Sequence, residues 1–350
     1  MSMEKAQWST DAAWQWLAPQ PWLCGFNYIP ANAISYTEMW MDYSFDPAQI
    51  DSELQLAQDI GFNCIRVVLP FVVWAQEAFA FKQRFRQFLD VCHKRGLRVV
   101  TALFDDCCFG PTVDPVFGPQ PKVIPGWYGN GWTPSPGHAM VRDPNSWSRL
   151  QPYVEDIIGT FGHDERVLVW DVYNEPTNGV VIGKLNIPLG HLSIPLVENV
   201  YCWARRMKPQ QPLTLGVWND NAALNDLAAR LSDITTFHHY GTPENLQTKI
   251  HELKKMGRPV ICTEWLNRGN GSTVAGCLPI FQRERVGALH WGLVNGKTQT
   301  HLNWGHLPGD PEPRVWQHDL FHPDHTAYDP AELQLFRTAI SLPASAARST

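Results

Sequence analysis

No basic run interrupts this 350-residue chain, and its formal charge is −6. Both facts argue against nucleic acid as a partner. No apolar stretch approaches the roughly 20 residues that a membrane-spanning helix needs. The opening residues, Met1-Ser2-Met3-Glu4-Lys5-Ala6-Gln7-Trp8, lack the charged-then-apolar pattern of a secretory signal. A cytoplasmic location is therefore expected, with no membrane partner. The cysteines (Cys24, Cys64, Cys92, Cys107, Cys108, Cys202, Cys262 and Cys277) show no CxxC motif and no Cys/His ligand spacing. Buried free thiols are expected, as are the absence of a metal and of a cofactor. No linker or composition break divides the chain. One domain over residues 1–342 is expected, with a small, polar, loose tail over 343–350.

Tryptophan is plentiful, at 16 residues, and many lie between the regular segments. Flat rings in loops suit a cleft in which they stack on a ligand's face, while about half of them serve as ordinary core. The regular segments alternate strand and helix eight times. Strands are read over 25–29, 64–69, 98–104, a run ending at Asn174-Glu175, 213–218, 234–240, 259–264 and 286–291. Asp46 caps the first barrel helix, Pro47 opens it, and Ile50, Leu54, Ala57 and Ile60 give it one apolar face. Asp143-Pro144 and Asp329-Pro330 open later helices in the same way. Eight such units predict an α/β fold, a single (β/α)8 barrel with long loops after strands 3 and 8.

In a barrel of this kind chemistry gathers at the carboxyl ends of the strands. Those ends carry Asn27, Arg66, Asp105, Asn174 with Glu175, Trp218, His238 with Tyr240, Glu264 and Trp291. Singly, a strand-end histidine or arginine is more often a structural residue. Two glutamates are more telling. Glu175 closes Trp170-Asp171-Val172-Tyr173-Asn174-Glu175-Pro176, and Glu264 closes Pro259-Val260-Ile261-Cys262-Thr263-Glu264-Trp265. Cleaving an acetal needs one carboxyl to protonate the leaving oxygen and one carboxylate to meet the cationic centre. A cation beside only one of the two would divide the roles. Two glutamates and one arginine are present for this.

The order and spacing of Arg66, Asn174-Glu175-Pro176, His238-x-Tyr240, Thr263-Glu264-Trp265 and Trp291 resemble glycoside hydrolase family 5, within the wider clan of retaining barrel glycosidases. The resemblance runs from Gly25 to about Ile340. It implies Glu175 as general acid/base and Glu264 as nucleophile. It implies Asn174 on the sugar 2-hydroxyl, Tyr240 and Arg66 on Glu264, His238 by Glu175 or the substrate, and Trp291 as the floor of the sugar site. Many members carry a histidine at the end of strand 3, where this chain has Asp105-Asp106. Where one histidine is usual on strand 6, this chain has His238-His239, and either could face the site.

A carbohydrate substrate follows from the resemblance. We expect a retaining β-glycoside hydrolase on short β-linked oligosaccharides or small β-glycosides, exo-acting because long loops could wall off one end of the cleft. The alternative is an endo-β-1,4-glycanase of cellulase, mannanase or xylanase type. A non-catalytic sugar-binding barrel and a metal-dependent barrel hydrolase are further alternatives. The former should lack one glutamate, and the latter usually brings an H-x-H on strand 1, which is absent here. Lys297, in Gly296-Lys297-Thr298-Gln299-Thr300, is expected to contact the substrate from the loop after strand 8.

Overall fold

The computed structural model describes residues 7–342, so the expected loose tail lies outside the described residues. In chain order the elements are α1 (Thr10–Leu17), β1 (Cys24–Asn27), α2 (Pro47–Ile60), β2 (Cys64–Val68), α3 (Phe71–Lys94), β3 (Arg98–Ala102), α4 (His138–Arg142), α5 (Leu150–Phe161) and β4 (Val167–Asn174). There follow β5 (Gly179–Ile182), β6 (Leu185–Pro188), α6 (Ile194–Arg206), β7 (Leu213–Gly216), α7 (Ala222–Leu231), β8 (Thr235–His238), α8 (Pro243–Lys254), β9 (Val260–Glu264), α9 (Val274–Glu284), β10 (Gly287–Trp291) and α10 (Pro330–Ser341).

Eight strands form one parallel sheet in the order β7-β4-β3-β2-β1-β10-β9-β8. The two ends of that order meet. Val217 bridges Phe237 in parallel, His238 N donates to Val217 O at 2.8 Å, and Thr236 Oγ1 donates to Leu215 O at 2.8 Å. The sheet thus closes into the (β/α)8 barrel that the alternation predicts. Strands buried on both faces read as continuous apolar runs, and β2, β4 and β9 are buried throughout. At Gly25 the neighbouring strand leaves no room for a side chain, because a Cβ there would lie 1.8 Å from Cys64 O.

Local signals place most helices. Asp46 accepts from Ala48 N and Gln49 N at 2.9 and 3.1 Å, Pro47 takes the first turn, and Gly61 ends the helix at φ +99°. Ile50, Leu54, Ala57 and Ile60 are buried as the spacing predicts. Phe81, Phe85 and Phe88 of α3 surround Trp40 at 5.3–5.8 Å between ring centroids. Each such side chain contributes about 1.5–3 kcal/mol by leaving water.

The structure corrects several boundaries. Strand 5 ends at Gly216 rather than Trp218, and strand 6 ends at His238 rather than Tyr240. Asp143-Pro144 opens a 3-10 turn, Pro144–Arg149, and the α-helix begins only at Leu150. Helices α1 and α4 and the β5–β6 hairpin were not anticipated. Helix α1 sits under the barrel, where Ala13, Trp16 and Leu17 join Leu23, Cys64, Val100, Leu168, Val169, Ile234, Ile261 and Leu289 in the interior cluster. The antiparallel β5–β6 hairpin follows β4, turning at Gly183. All eight cysteines are free, and Cys202 is exposed rather than buried.

Candidate active site

Glu175 stands one residue beyond β4, with a left-handed backbone at φ +43°. That conformation is costly for a residue with a side chain. It is held by Glu175 N donating to Gly216 O at 3.0 Å and by Asn178 N donating to Glu175 O at 3.1 Å. Two residues on, Thr177 N is shared between Asp106 Oδ2 and Ser193 Oγ, at 2.9 and 2.8 Å. The turn lifts the Glu175 carboxyl off the strand and into the cavity above the barrel.

Arg66 organises the floor beneath it. The guanidinium is 2% exposed, so every N–H it points inward needs a partner. Its Nε and Nη2 grip Asp171 Oδ2 at 3.1 and 2.6 Å. Nη1 donates to Glu264 Oε1 at 2.7 Å and to Asn27 Oδ1 at 2.8 Å, and Nη2 to Asn174 Oδ1 at 2.6 Å. Burial works against the charge, but the carboxylates of Asp171 and Glu264 outweigh it and raise Arg66 above its ordinary value. Asn174 is fixed from its other end, where Nδ2 donates to Asp105 Oδ1 at 2.8 Å. Asp105 also accepts from Cys107 N and Trp132 Nε1, at 2.9 and 3.1 Å, and burial pushes it up to about 6. Its neighbour Asp106 turns away to Tyr173 Oη and Thr177 N, at 2.6 and 2.9 Å, and burial pushes it up to about 7.

The two glutamates have different surroundings. Glu264 receives Arg66 on Oε1 and the Tyr240 hydroxyl on Oε2, the latter at 2.7 Å. Glu175 Oε1 lies 2.5 Å from His238 Nδ1, while Oε2 accepts from Asn178 Nδ2 at 2.5 Å and from the Cys107 thiol at 3.1 Å. Burial pushes Glu175 up, but His238, with Cys107 and Asn178, pulls harder and holds it below the usual glutamate value. His238 Nδ1 is also 3.3 Å from Glu264 Oε2. The ligand-type atoms of Glu175, His238 and Glu264 lie within 4.8 Å of one another. A metal cation placed among them would meet the positive charge of Arg66, which already neutralises Glu264.

A cavity of about 480 Å³ opens over this pair, within the range of small-molecule sites. Asn174, Glu175, Trp218, His238, Tyr240, Glu264 and Trp291 line it. Trp218 is anchored by its indole N–H on Pro176 O at 2.9 Å. His238 Nδ1 meets Glu175, while His239 also borders the cavity with its Nε2 turned to Thr242 O at 3.5 Å. Asn27 and Asp105 lie behind the lining and act on it through Arg66 and Asn174. Lys297 is not brought to the cavity. Its side chain is exposed and absent from the lining, because its backbone N–H is tied to Ala31 O at 3.0 Å and Gly296 lies flat on Ala31. Lys297→Ala should leave kcat/KM within about twofold of wild type in steady-state assays.

Sequence reasoning missed Asp171, Cys107, Asn178, Tyr128 and Trp132, all placed here at or beneath the site. The hairpin adds Val181 and Asn186 to the lining. It had a readable signal in two short apolar runs about Gly183-Lys184. The long loops after β3 and β10 are sewn together. Gly129 N donates to Thr298 O at 2.9 Å, Tyr128 N to His306 O at 3.1 Å, and Gln299 Nε2 to Trp127 O at 3.0 Å. The loop after β1 joins this seam through Lys297 N on Ala31 O and through the Tyr36 hydroxyl on Thr133 O. One end of the cavity is thereby walled, with Trp291 packed on Trp132 at 5.3 Å inside the wall.

No protein-family model and no curated protein sequence matches this chain. Solved structures do. GH5_18 from Streptomyces cattleya, solved in complex with GlcNAc, superposes at a TM-score of 0.63 with 15% identity over 93% of this chain and 82% of that one. The endo-β-1,4-mannanase from Thermotoga petrophila gives 0.58 with 14% identity, over 93% and 77%. The exo-β-1,4-mannosidase Op5Man5 from Opitutaceae bacterium strain TAV5 gives 0.58 with 16% identity, over 91% and 59%. The likeness at this identity lies in the fold: this chain is a (β/α)8 barrel of the architecture shared by that mannanase and that mannosidase.

Proposed function

We propose that the protein is a family 5-like glycoside hydrolase that cleaves β-glycosides with retention of configuration. The observation that carries this is the approach of the Glu175 and Glu264 carboxylates to within 4.8 Å, each in a different electrostatic setting. Retaining enzymes hold the two carboxyls about 5–5.5 Å apart, whereas inverting ones leave about 6.5–9.5 Å for a water. Arg66 and the Tyr240 hydroxyl each donate to one oxygen of Glu264 and hold it aimed, as a nucleophile requires. Glu175 and His238 Nδ1, 2.5 Å apart, form a hydrogen-bonded pair. From that pair the leaving oxygen is protonated, and to it the attacking water later gives its proton.

The walled end supports exo action on short substrates, since a chain cannot extend through the seam between the loops after β3 and β10. The solved GH5_18 is also known with Manβ1-4GlcNAc, and the other two structures act on mannosides by name. Aryl β-mannosides therefore head the substrate panel, with β-glucosides next. The first product, followed by NMR, should carry the β configuration, and an α-anomer would sink the proposal. Glu175→Ala should slow substrates with poor leaving groups by about 10²–10⁴-fold and leave activated aryl glycosides much less affected, because only the former need the acid. Azide should restore turnover of the activated substrates in that variant, attacking a glycosyl-enzyme that lacks a base for water.

A further inference from the structure

We infer that Cys107 is a positioning residue for Glu175, a thiol that holds the acid/base through both of its protonation states. The inference rests on the acid/base role proposed for Glu175. Cys107 follows β3 by five residues and is buried, yet its side chain lines the cavity. Its Sγ lies 3.1 Å from Glu175 Oε2 and 3.3 Å from Asn178 Nδ2, with Asn174 Nδ2 at 3.7 Å. The adjacent Cys108 points elsewhere, to the carbonyls of Gly110 and Thr112 at 3.4 and 3.2 Å. The two sulfurs are thus engaged in different places, and the active-site thiol stands as a hydrogen-bonding group rather than half of a redox pair.

The chemistry of the contacts makes the argument. An amide N–H such as Asn178 Nδ2 can only donate, so it suits a carboxylate and opposes a carboxylic acid on the same oxygen. A thiol can donate through S–H or accept at sulfur. Glu175 must alternate between acid and carboxylate in each catalytic cycle, and Cys107 can follow it without moving. The thiol remains protonated while it does so, because burial and the nearby carboxyls of Asp105 and Glu175 push it well above its ordinary value.

The other titratable groups facing Glu175 are His238 at the end of β8, Tyr240 just beyond it, and Glu264 at the end of β9. Arg66, from β2, spends its charge on Asp171 and Glu264. Asp105 accepts from the Cys107 backbone N–H and also acts on the thiol itself, and Asp106 faces Tyr173. Against this background the loss of one donor from Glu175 Oε2 should let the carboxyl titrate higher, since the Cys107 contact lowers it.

The test is a titration of the resting enzyme labelled with ¹³C at the glutamate carboxyls. The Glu175 signal is identified by its absence in Glu175→Gln. In Cys107→Ala and in Cys107→Val, which keeps the volume, the Glu175 midpoint should rise by about half a unit or more. Cys107→Ser, which restores a group that donates and accepts, should return it toward wild type. A midpoint that stays within about 0.2 of wild type in both Ala and Val variants, or a Ser variant that behaves as Ala does, overturns the inference. A purely packing role would lower the melting temperature and leave the midpoint where it was. The titration uses no substrate, so its failure is separate from a failure to cleave β-glycosides.

Discussion

In Glu264→Gln, turnover of every glycoside should fall by about four orders of magnitude or more, activated aryl leaving groups included. The amide keeps the shape of the side chain and can still meet the Arg66 and Tyr240 donors on one oxygen. It cannot form the glycosyl ester. Arg66 stays paired to Asp171 through two of its nitrogens, so the fold loses little, and the melting temperature should move by only a few degrees. Contrast with Glu175→Ala is the point of the experiment, because the nucleophile is needed whatever the leaving group. Activity in Glu264→Gln within about tenfold of wild type would remove this residue from the reaction.

Arg66→Ala should damage stability as well as chemistry. The guanidinium is the single positive charge bound between Asp171 and Glu264, and it also fixes the amides of Asn27 and Asn174. Its removal leaves two buried carboxylates facing an empty space. Breaking a buried pair in this way costs about 3–5 kcal/mol, which lowers the melting temperature of a chain this size by on the order of 10 °C. Activity should vanish with it, since Glu264 loses the partner that holds its Oε1 in place. Arg66→Lys should recover part of the stability and little of the activity, because a single ammonium cannot make the forked contacts to four partners at once. Differential scanning calorimetry beside steady-state kinetics checks both halves. An Arg66→Ala protein that melts with the wild type would show that the Asp171–Arg66–Glu264 chain is not a stabilising element.

The barrel was legible because its helices announce themselves locally. Asp46-Pro47 with Gly61, and Asp329-Pro330, are punctuation that tertiary structure has no reason to override. Helix α1 was missed although Ser9 caps it, accepting from Ala12 N at 3.1 Å, because its short apolar face docks on distant parts of the chain. Trp8 N reaches Asp233 Oδ1 and Arg258 reaches Trp8 O, across more than two hundred residues. At the site, the rim residues followed from strand ends, but Asp171 did not. In a regular strand, positions three apart face opposite sides, so Asp171 and Asn174 should not both meet Arg66. They do because the register between β4 and β7 shifts between those two residues. A similar shift between Phe237 and His238 sets His238 opposite Glu264. Irregularities of this kind leave no mark on apolar periodicity. Lys297 stands away from the cavity lining for a related reason, as a loop's position along the chain does not say which way its side chains turn.

The seam between the loops after β3 and β10 has a kinetic consequence. With one end of the cavity walled, the sugar that enters first has no rear exit, and it must leave through the mouth by which it came. Under the proposed exo action, the substrate should be released after each cut, and successive cleavages along one chain should require separate encounters. The monosaccharide that such action frees would share that doorway with the next substrate, so it should act as a competitive product inhibitor, and progress curves should bend early as it accumulates.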